Sequence, residues 1–252
     1  MSDPLVGRLR AAGCVYAEDE ARLLRAAAGT PAELEALVAR RVEGTPLEAL
    51  LGWVEFCGLR VAVDPGVFVP RQRTAFLVAE AARRAAPGAI VVDLCCGTGA
   101  VGAAVAAAVP GVEVYAADVD PAAVACARRN LPRVHQGDLY AALPDRLRGR
   151  VDVLVVNAPY VPTAAIATMP PEARDHEPRV ALDGGADGLD VQRRVAAGAP
   201  AWLRPGGALL VETGADQARH TAALFAAAGL APRIAYAEDA TVVIGERASG
   251  QE

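Results

Sequence analysis

Lysine is absent from this sequence: all 25 basic residues are arginine. Without an ε-amino group the chain has no Schiff-base nucleophile and no P-loop lysine for a nucleoside triphosphate. Cysteine is scarce and wrongly spaced for a scaffold. Cys14, Cys57, Cys95, Cys96 and Cys126 are odd in number and form no CxxC, which argues against a disulfide framework or a zinc cluster. The histidines, His135, His176 and His220, are scattered; they read as surface or loop residues, and no metal is expected. Aromatic residues make up only 4%, so Ala, Val and Leu must supply the bulk of any core. The longest apolar stretch, 99–109, is well short of the ~18–20 residues a membrane span needs. Residues 1–13 lack the apolar segment of a secretory signal. These absences lead to the expectation of a cytoplasmic protein in a reduced compartment.

What is present is a core-forming composition. Hydrophobic residues reach 53% and charged residues 22% over 252 residues, enough for one or two packed domains. A net charge of −5 gives no electrostatic drive toward nucleic acid or an anionic membrane.

The chain divides into three parts. Residues 1–50 read as a short helical subdomain, with apolar residues at helical spacing (Ala21, Leu23, Leu24; Leu34, Leu37, Val38) and a helix start at Thr30-Pro31 with Glu33. Residues 51–74 read as a hairpin around Gly58 followed by a proline-containing loop. Residues 75–252 alternate strands and helices: strands at 90–94, 112–118, 134, 151–156, 208–213, 234–236 and 241–246, and a long loop at 158–187. That rhythm predicts an α/β fold, a doubly wound and mostly parallel seven-stranded sheet. The arginine pairs at 40–41, 83–84, 128–129 and 193–194 read as solvated helix faces.

The sharpest local feature is Asp93-Leu-Cys95-Cys96-Gly97-Thr98-Gly99-Ala-Val-Gly102. A strand runs into a tight glycine turn and then a helix, which allows the backbone to approach a ligand closely. Gly97 to Gly102 matches GxGxxG, and Asp118 stands about 20 residues on, where an acid receives ribose hydroxyls. Asp93 ahead of the loop repels a pyrophosphate but suits a cationic amino-acid moiety, so S-adenosylmethionine is favoured over NAD. Asp138 and Leu139 follow the third strand, placed to accept the adenine amine and to pack on the ring. A glycine turn that merely packs helix on strand, and an ordinary Asx turn at Asp138, are the plainer alternatives.

The second feature is Asn157-Ala158-Pro159-Tyr160 at the end of a buried strand, the edge where open α/β sheets bind ligands. Only two asparagines occur, Asn130 and Asn157. The turn chemistry of Asn-X-Pro is the alternative reading.

Together these motifs resemble a class I S-adenosylmethionine-dependent methyltransferase with a variant Asn-Pro-Pro-Tyr motif, which is shared by adenine-N6 and glutamine-amide methyltransferases. Further segments resemble the HemK/PrmC family of protein N5-glutamine methyltransferases: Thr45-Pro-Leu-Glu-Ala-Leu-Leu-Gly52, Glu55-Phe56, Val69-Pro70-Arg71 with Thr74, Glu177-Pro178-Arg179, Asp187-Gly188-Leu189 and Leu210-Val-Glu212-Thr-Gly214. The likeness covers nearly the whole chain. It departs at Ala158 (a proline in the family), at 70–75 (which lacks the family's two acids), at Cys95-Cys96 (normally Gly-Ser/Thr) and in a shorter N-terminal part, as in a divergent member.

The resemblance implies methyl transfer to a glutamine side-chain amide on a protein, with the Gly-Gly-Gln loop of a peptide-chain release factor as the leading target. The cofactor set it implies is Asp93, Cys95, Cys96, Gly97, Thr98, Gly99, Asp118, Asp138, Leu139 and Asn157. The catalytic pair is Asn157 and Tyr160, and the substrate set Asn157, Ala158, Pro159 and Tyr160. The Asn157 side-chain oxygen and the Ala158 carbonyl serve as acceptors, and Tyr160 serves as a wall. Arg71 and Arg73 are expected to meet the target protein. Adenine-N6 methylation and a non-enzymatic S-adenosylmethionine-binding regulator remain as alternatives.

Overall fold

The computed structural model describes residues 3–249. Helices α1 (Pro4–Ala11), α2 (Ala17–Ala27), α3 (Pro31–Val42) and α4 (Leu47–Leu51) form the N-terminal part. Asp3 caps α1 by accepting the Leu5 N–H at 3.0 Å. A capping box starts α3: Thr30 Oγ1 accepts the Glu33 N–H, and the Glu33 carboxylate accepts the Thr30 N–H at 3.1 Å. Leu9, Ala17, Ala21, Leu24 and Val38 make a small core, against which Leu47, Leu50 and Leu51 of α4 pack. Arg41 is not on a solvated face: it reaches across to Glu20 of α2 at 2.7 Å, with both side chains about nine-tenths buried. The helical period places an arginine on a face but is blind to the acid on the neighbouring helix.

Strands β1 (Trp53–Phe56) and β2 (Leu59–Ala62) form the expected hairpin. Its two-residue turn, Cys57-Gly58, has φ of +50° and +75°, the doubly left-handed geometry that matches strand twist. The inward residues Val54, Phe56, Val61 and Val63 join the main core.

That core surrounds a seven-stranded sheet: β3 (Ile90–Leu94), β4 (Glu113–Asp118), β5 (Val134–Gln136), β6 (Val151–Val156), β7 (Leu203–Thr213), β8 (Leu230–Tyr236) and β9 (Thr241–Arg247). The order is β5-β4-β3-β6-β7-β9-β8, with only β9 antiparallel to its neighbours. Helices α5 (Ala75–Ala82), α6 (Ala100–Ala108) and α7 (Pro121–Ala127) cover one face together with the hairpin. α10 (Asp190–Trp202) and α11 (Ala218–Ala227) cover the other. Burial on both faces explains the unbroken apolar run of β6. Val153 and Val155 face one core, Leu154 and Val156 the other.

Three expectations need correction. The segment after β6 is not a bare loop: it holds a 3₁₀ turn (Thr163–Thr168), α8 (Pro171–His176) and α9 (Arg179–Leu182), and a bridge joins Val161 to Asp183. Strand β7 starts five residues before the expected 208, because Leu203 already pairs with Val151 and a register shift absorbs the residues between. Strand β8 runs through Pro232, which is tolerated because β8 is the edge strand. No helix among the described residues is long and apolar enough to cross a membrane.

Candidate active site

Strand order reverses at β3, which has β4 on one side and β6 on the other. Ligands of open α/β sheets bind beyond the carboxyl ends of the strands at such a point. A cavity of about 420 Å³ lies there, within the range of small-molecule sites. It is lined by every residue of the expected cofactor and substrate sets except Gly99.

The three glycines of the loop have different jobs. At Gly97 (φ +53°) a Cβ would meet nothing within 4 Å, so the loop is open there. At Gly99 (φ +76°) a Cβ would stand 3.0 Å from Leu131. At Gly102 it would stand 2.9 Å from Val114, so this glycine lets α6 lie close on β4.

Gly99 is the N-cap of α6 and has no side chain to cap with. Asp93, one strand back, does so instead, accepting the Gly102 N–H at 2.9 Å. Asp93 thus lies on the cavity floor, only 2% exposed, and braces the loop from below. Asp118 holds the loop from β4, accepting the Gly97 N–H at 2.8 Å and the Asp120 N–H at 2.9 Å.

Two of the three non-glycine residues with left-handed backbone among the described residues are Cys95 (φ +55°) and Leu139 (φ +49°), both on the cavity. Such strain concentrates where a site dictates the backbone. The turn carrying Leu139 is anchored by Tyr140, whose hydroxyl donates to the Val195 carbonyl at 2.6 Å and whose ring stacks on Trp202. Asp138 is held by Arg194 of α10 at 2.6 Å. Arg194, exposed as a solvated face requires, also borders the cavity.

Asn157 follows β6 directly, and its Nδ2 donates to Thr74 Oγ1 at 3.4 Å. Ala158 is buried; Pro159 and Tyr160 continue the wall. The Tyr160 hydroxyl accepts from Arg73 at 2.7 Å, and Arg73 Nε stands 3.5 Å from the buried Glu212 carboxylate. Arg71 pairs with Glu177 at 2.6 Å. Both arginines expected to reach outward are thus engaged within the chain, because 70–74 packs against the end of β6 and the segment after it. Thr74, Arg194 and Glu212 escaped sequence reasoning as site residues. Glu212 had a signal, a lone acid next to the end of an apolar strand.

Burial dominates the electrostatics. It pushes the Asp93 carboxyl up to about 7, with the neighbouring Asp118 adding to the rise and the Gly102 N–H opposing it. Burial likewise raises Asp118 and Glu212 above the usual carboxylate range. Both cavity thiols, Cys95 and Cys96, are raised for the same reason, which removes thiolate character. A floor of closely set acids favours a cationic ligand and disfavours a pyrophosphate. None of the three histidines lines the cavity, and His135 sits in β5, stacked on Tyr115. No metal-holding group of His, Cys, Asp and Glu occurs among the described residues.

The Methyltransferase small domain family matches residues 58–170. A release factor glutamine methyltransferase of Geobacter sulfurreducens is 43% identical over 189 residues, covering 73% of this chain and 66% of that protein. One from Moorella thermoacetica is 40% identical over 194 residues, covering 73% and 67%. The matched part thus spans about two thirds of the length of these curated relatives. The crystal structure of a methyltransferase from Pyrococcus furiosus superposes with a TM-score of 0.57 at 16% identity, covering 76% of this chain and 90% of that one, and shares the fold. A reversing seven-stranded sheet, a glycine loop over buried acids and this degree of identity lead to one assignment: the chain belongs to the release factor glutamine methyltransferase family.

Proposed function

We propose that this chain methylates the side-chain amide nitrogen of a glutamine in a polypeptide, with S-adenosylmethionine as donor and a peptide-chain release factor as substrate, in the cytoplasm. The observation that supports the reading is that Asn157 and Ala158 line the same acid-floored cavity as the glycine loop. The cavity suits the donor in charge and shape. Asp93, Asp118 and Asp138 favour a cation, and the missing Cβ at Gly97 leaves the loop open to close approach. Gly97, Thr98, Gly99 and their neighbours Cys95 and Cys96 form the loop that holds it. Asp118 takes the ribose, and Asp138 and Leu139 take the adenine.

When bound, S-adenosylmethionine would supply an activated methyl group, its carbon–sulfur bond breaking to leave the neutral thioether S-adenosylhomocysteine while the amide nitrogen gives up one of its two hydrogens as a proton to solvent. The remaining problem is the acceptor, because an amide nitrogen is a poor nucleophile whose lone pair is delocalised into its carbonyl. The chain's own groups solve it by orientation. The Asn157 oxygen and the Ala158 carbonyl accept the two amide hydrogens and turn the nitrogen toward the methyl group, a near-attack geometry. Tyr160, tied to Arg73, walls the acceptor. Pro159 restricts the loop backbone. Replacing the family's proline by Ala158 retains the carbonyl that accepts the hydrogen bond. It forgoes only the ring's restriction of the backbone, about 0.4–1 kcal/mol.

In this reading, residues 75–252 carry the transferase, 51–74 border its acceptor side through Arg71, Arg73 and Thr74, and 1–50 form a separate helical part. The test is transfer of labelled methyl from S-adenosylmethionine to purified release factor, located by peptide mass spectrometry. The expected result is a gain of one methylene on a glutamine-bearing peptide and no label on DNA or RNA. Label on adenine, or none on any polypeptide, overturns the assignment.

A further inference from the structure

The carboxyl end of β7 borders a second cavity, of about 540 Å³. β7 lies parallel to β6, with Val211 opposite Val156, and runs on through Glu212 to Thr213. Past the strand the lining continues with Gly214 and Ala215, and with the turn that joins β8 to β9, residues 237–240. That turn is closed by the Ala237 N–H, which donates to the Ala240 carbonyl at 2.8 Å. Adjacent strands run ~4.8 Å apart, so the cavities at the ends of β6 and β7 are neighbours. The wall between them is made of side chains: Arg73 and Tyr160 border both cavities, and Arg73 donates to the Tyr160 hydroxyl at 2.7 Å.

The charge on the second lining is unequal. Glu212, Glu238 and Asp239 border it, and among the described residues Arg73 is the one cation that does. Glu238 and Asp239 are exposed on the turn. Glu212 is 2% exposed, and neither of its carboxylate oxygens has a hydrogen-bond partner. Arg73 Nε stands 3.5 Å from it, while another nitrogen of that guanidinium is engaged by Tyr160. Buried polar groups are ordinarily hydrogen-bonded, so an acid without a donor on a cavity wall points to a donor that arrives with a ligand. Burial raises the Glu212 carboxyl and the charge of Asp239 adds to the rise, a penalty that a cation in the cavity relieves. The three acids form no metal-holding group among the described residues. Their spread suits an organic cation on a long stem, and the ring of Tyr236, 61% exposed on the same lining, offers it a face.

We propose that the second cavity is a substrate subsite, taking a basic side chain of the polypeptide whose glutamine is methylated. The inference rests on the proposed glutamine reaction for the identity of the occupant, and on the cavity alone for its charge. A polypeptide that presents an amide at Asn157 and Tyr160 lays its neighbouring residues across the rim of the first cavity. Across the Arg73–Tyr160 wall the adjoining depression is the acidic one. Glu238 and Asp239 at its rim meet the cation first, Glu212 gains the donor it lacks, and Arg73 stays with Tyr160. Such a contact selects by charge, because a neutral or acidic side chain there leaves the carboxylates uncompensated. It acts on binding rather than on turnover, since it is made equally before and during methyl transfer. It is also separate from the donor, because Glu212, Glu238 and Asp239 do not line the first cavity.

The cation site is tested without the reaction. In ¹⁵N-labelled protein, titration with N-acetyl-arginine amide should shift the backbone amide signals of Gly214 and of residues 237–240, and N-acetyl-citrulline amide, its neutral analogue, should not. Glu238→Gln combined with Asp239→Asn, both on an exposed turn, should abolish the arginine response. Equal responses to the two probes, or shifts confined to other parts of the chain, overturn the proposal. The occupant is tested on purified release factor. There the double variant should raise KM roughly tenfold, the scale of two partly exposed charge contacts, and leave kcat within about twofold of wild type. Replacing in turn each arginine and lysine near the methylated glutamine by Gln should find one whose loss raises KM in the wild type but not in the double variant. Glu212→Gln should raise KM in the same way, and if it fails to fold the double variant carries the test. An unchanged KM in the double variant, or a loss that falls on kcat alone, overturns the proposal. Failure of the wild-type protein to methylate any glutamine refutes the proposed function instead, and the arginine titration still decides the cation site.

Discussion

Asn157 concentrates the chemistry in one side chain. It stands at the end of a strand buried on both faces, and its Nδ2 is held by Thr74. Removing a preorganised polar group that acts on the reacting amide costs about 2.7–4 kcal/mol of transition-state stabilisation. Asn157→Ala should therefore turn over 10²–10³-fold more slowly. The single hydrogen bond it loses, to Thr74, is long, so the melting temperature should stay close to wild type. Single-turnover rates beside thermal unfolding check both halves. A variant that loses stability and keeps its rate would make Asn157 a turn residue closing β6. Tyr160 differs in kind, because its hydroxyl is already engaged by Arg73 and its contribution is the ring.

At the scale of elements, the junction of β3, its loop and α6 shows how local rules are overridden. Glycine inside a helix ordinarily weakens it by about 0.5–1 kcal/mol relative to alanine, which makes Gly102→Ala look stabilising. The close approach of α6 to β4 reverses the sign. An added methyl would stand 2.9 Å from Val114, 3.0 Å from Leu131 and 3.2 Å from the Asp93 carboxylate that caps the helix. Overpacking of this kind costs about 1–3 kcal/mol. Urea denaturation should show Gly102→Ala less stable than wild type, and an unchanged or raised midpoint would contradict the packing account. The α2–α3 contact follows the same logic: Arg41 and Glu20 are each ordinary surface residues by sequence, and their burial exists only because the two helices meet.

At the scale of the whole molecule, the buried acids set the response to pH. The Asp93 carboxyl ionises near pH 7 in the folded chain and near 3.8 once unfolded. Between those values the native state holds a proton that the unfolded state has released, so stability falls as pH rises through that interval and levels off above it. Asp118 and Glu212 are displaced in the same direction and add to the slope. Exposed acids paired with arginine, such as Glu35 with Arg8, have lowered values and act only at the acid end. The Asp93 contribution amounts to a few kcal/mol on the linkage scale. Chemical denaturation at pH 5 and pH 8 should find wild type less stable at pH 8. Asp93→Asn, which retains an acceptor for the Gly102 N–H, should narrow the difference. An equal difference in both proteins would place the linkage elsewhere.

Much of this architecture was legible in the residue order. The strand–helix rhythm, the two-residue hairpin at Cys57-Gly58, the capping box at Thr30 and the glycine loop all depend on interactions within a few residues, which sequence states directly. The location of Asn157 at a strand end was legible for the same reason, as was Asp118 at the end of the next strand after the loop. Strand order was not written locally. Which strand lies beside β6 is settled by packing the whole sheet between two helical layers, and only that choice puts Val211 opposite Val156 at the edge of the site. The partners of Arg41, Arg71, Arg73 and Arg194 were hidden for the same reason: a charge finds its counterpart across the fold, at separations of 21 to 139 residues. Periodicity reports which face a side chain occupies, whereas the identity of what it meets there is a property of the tertiary structure.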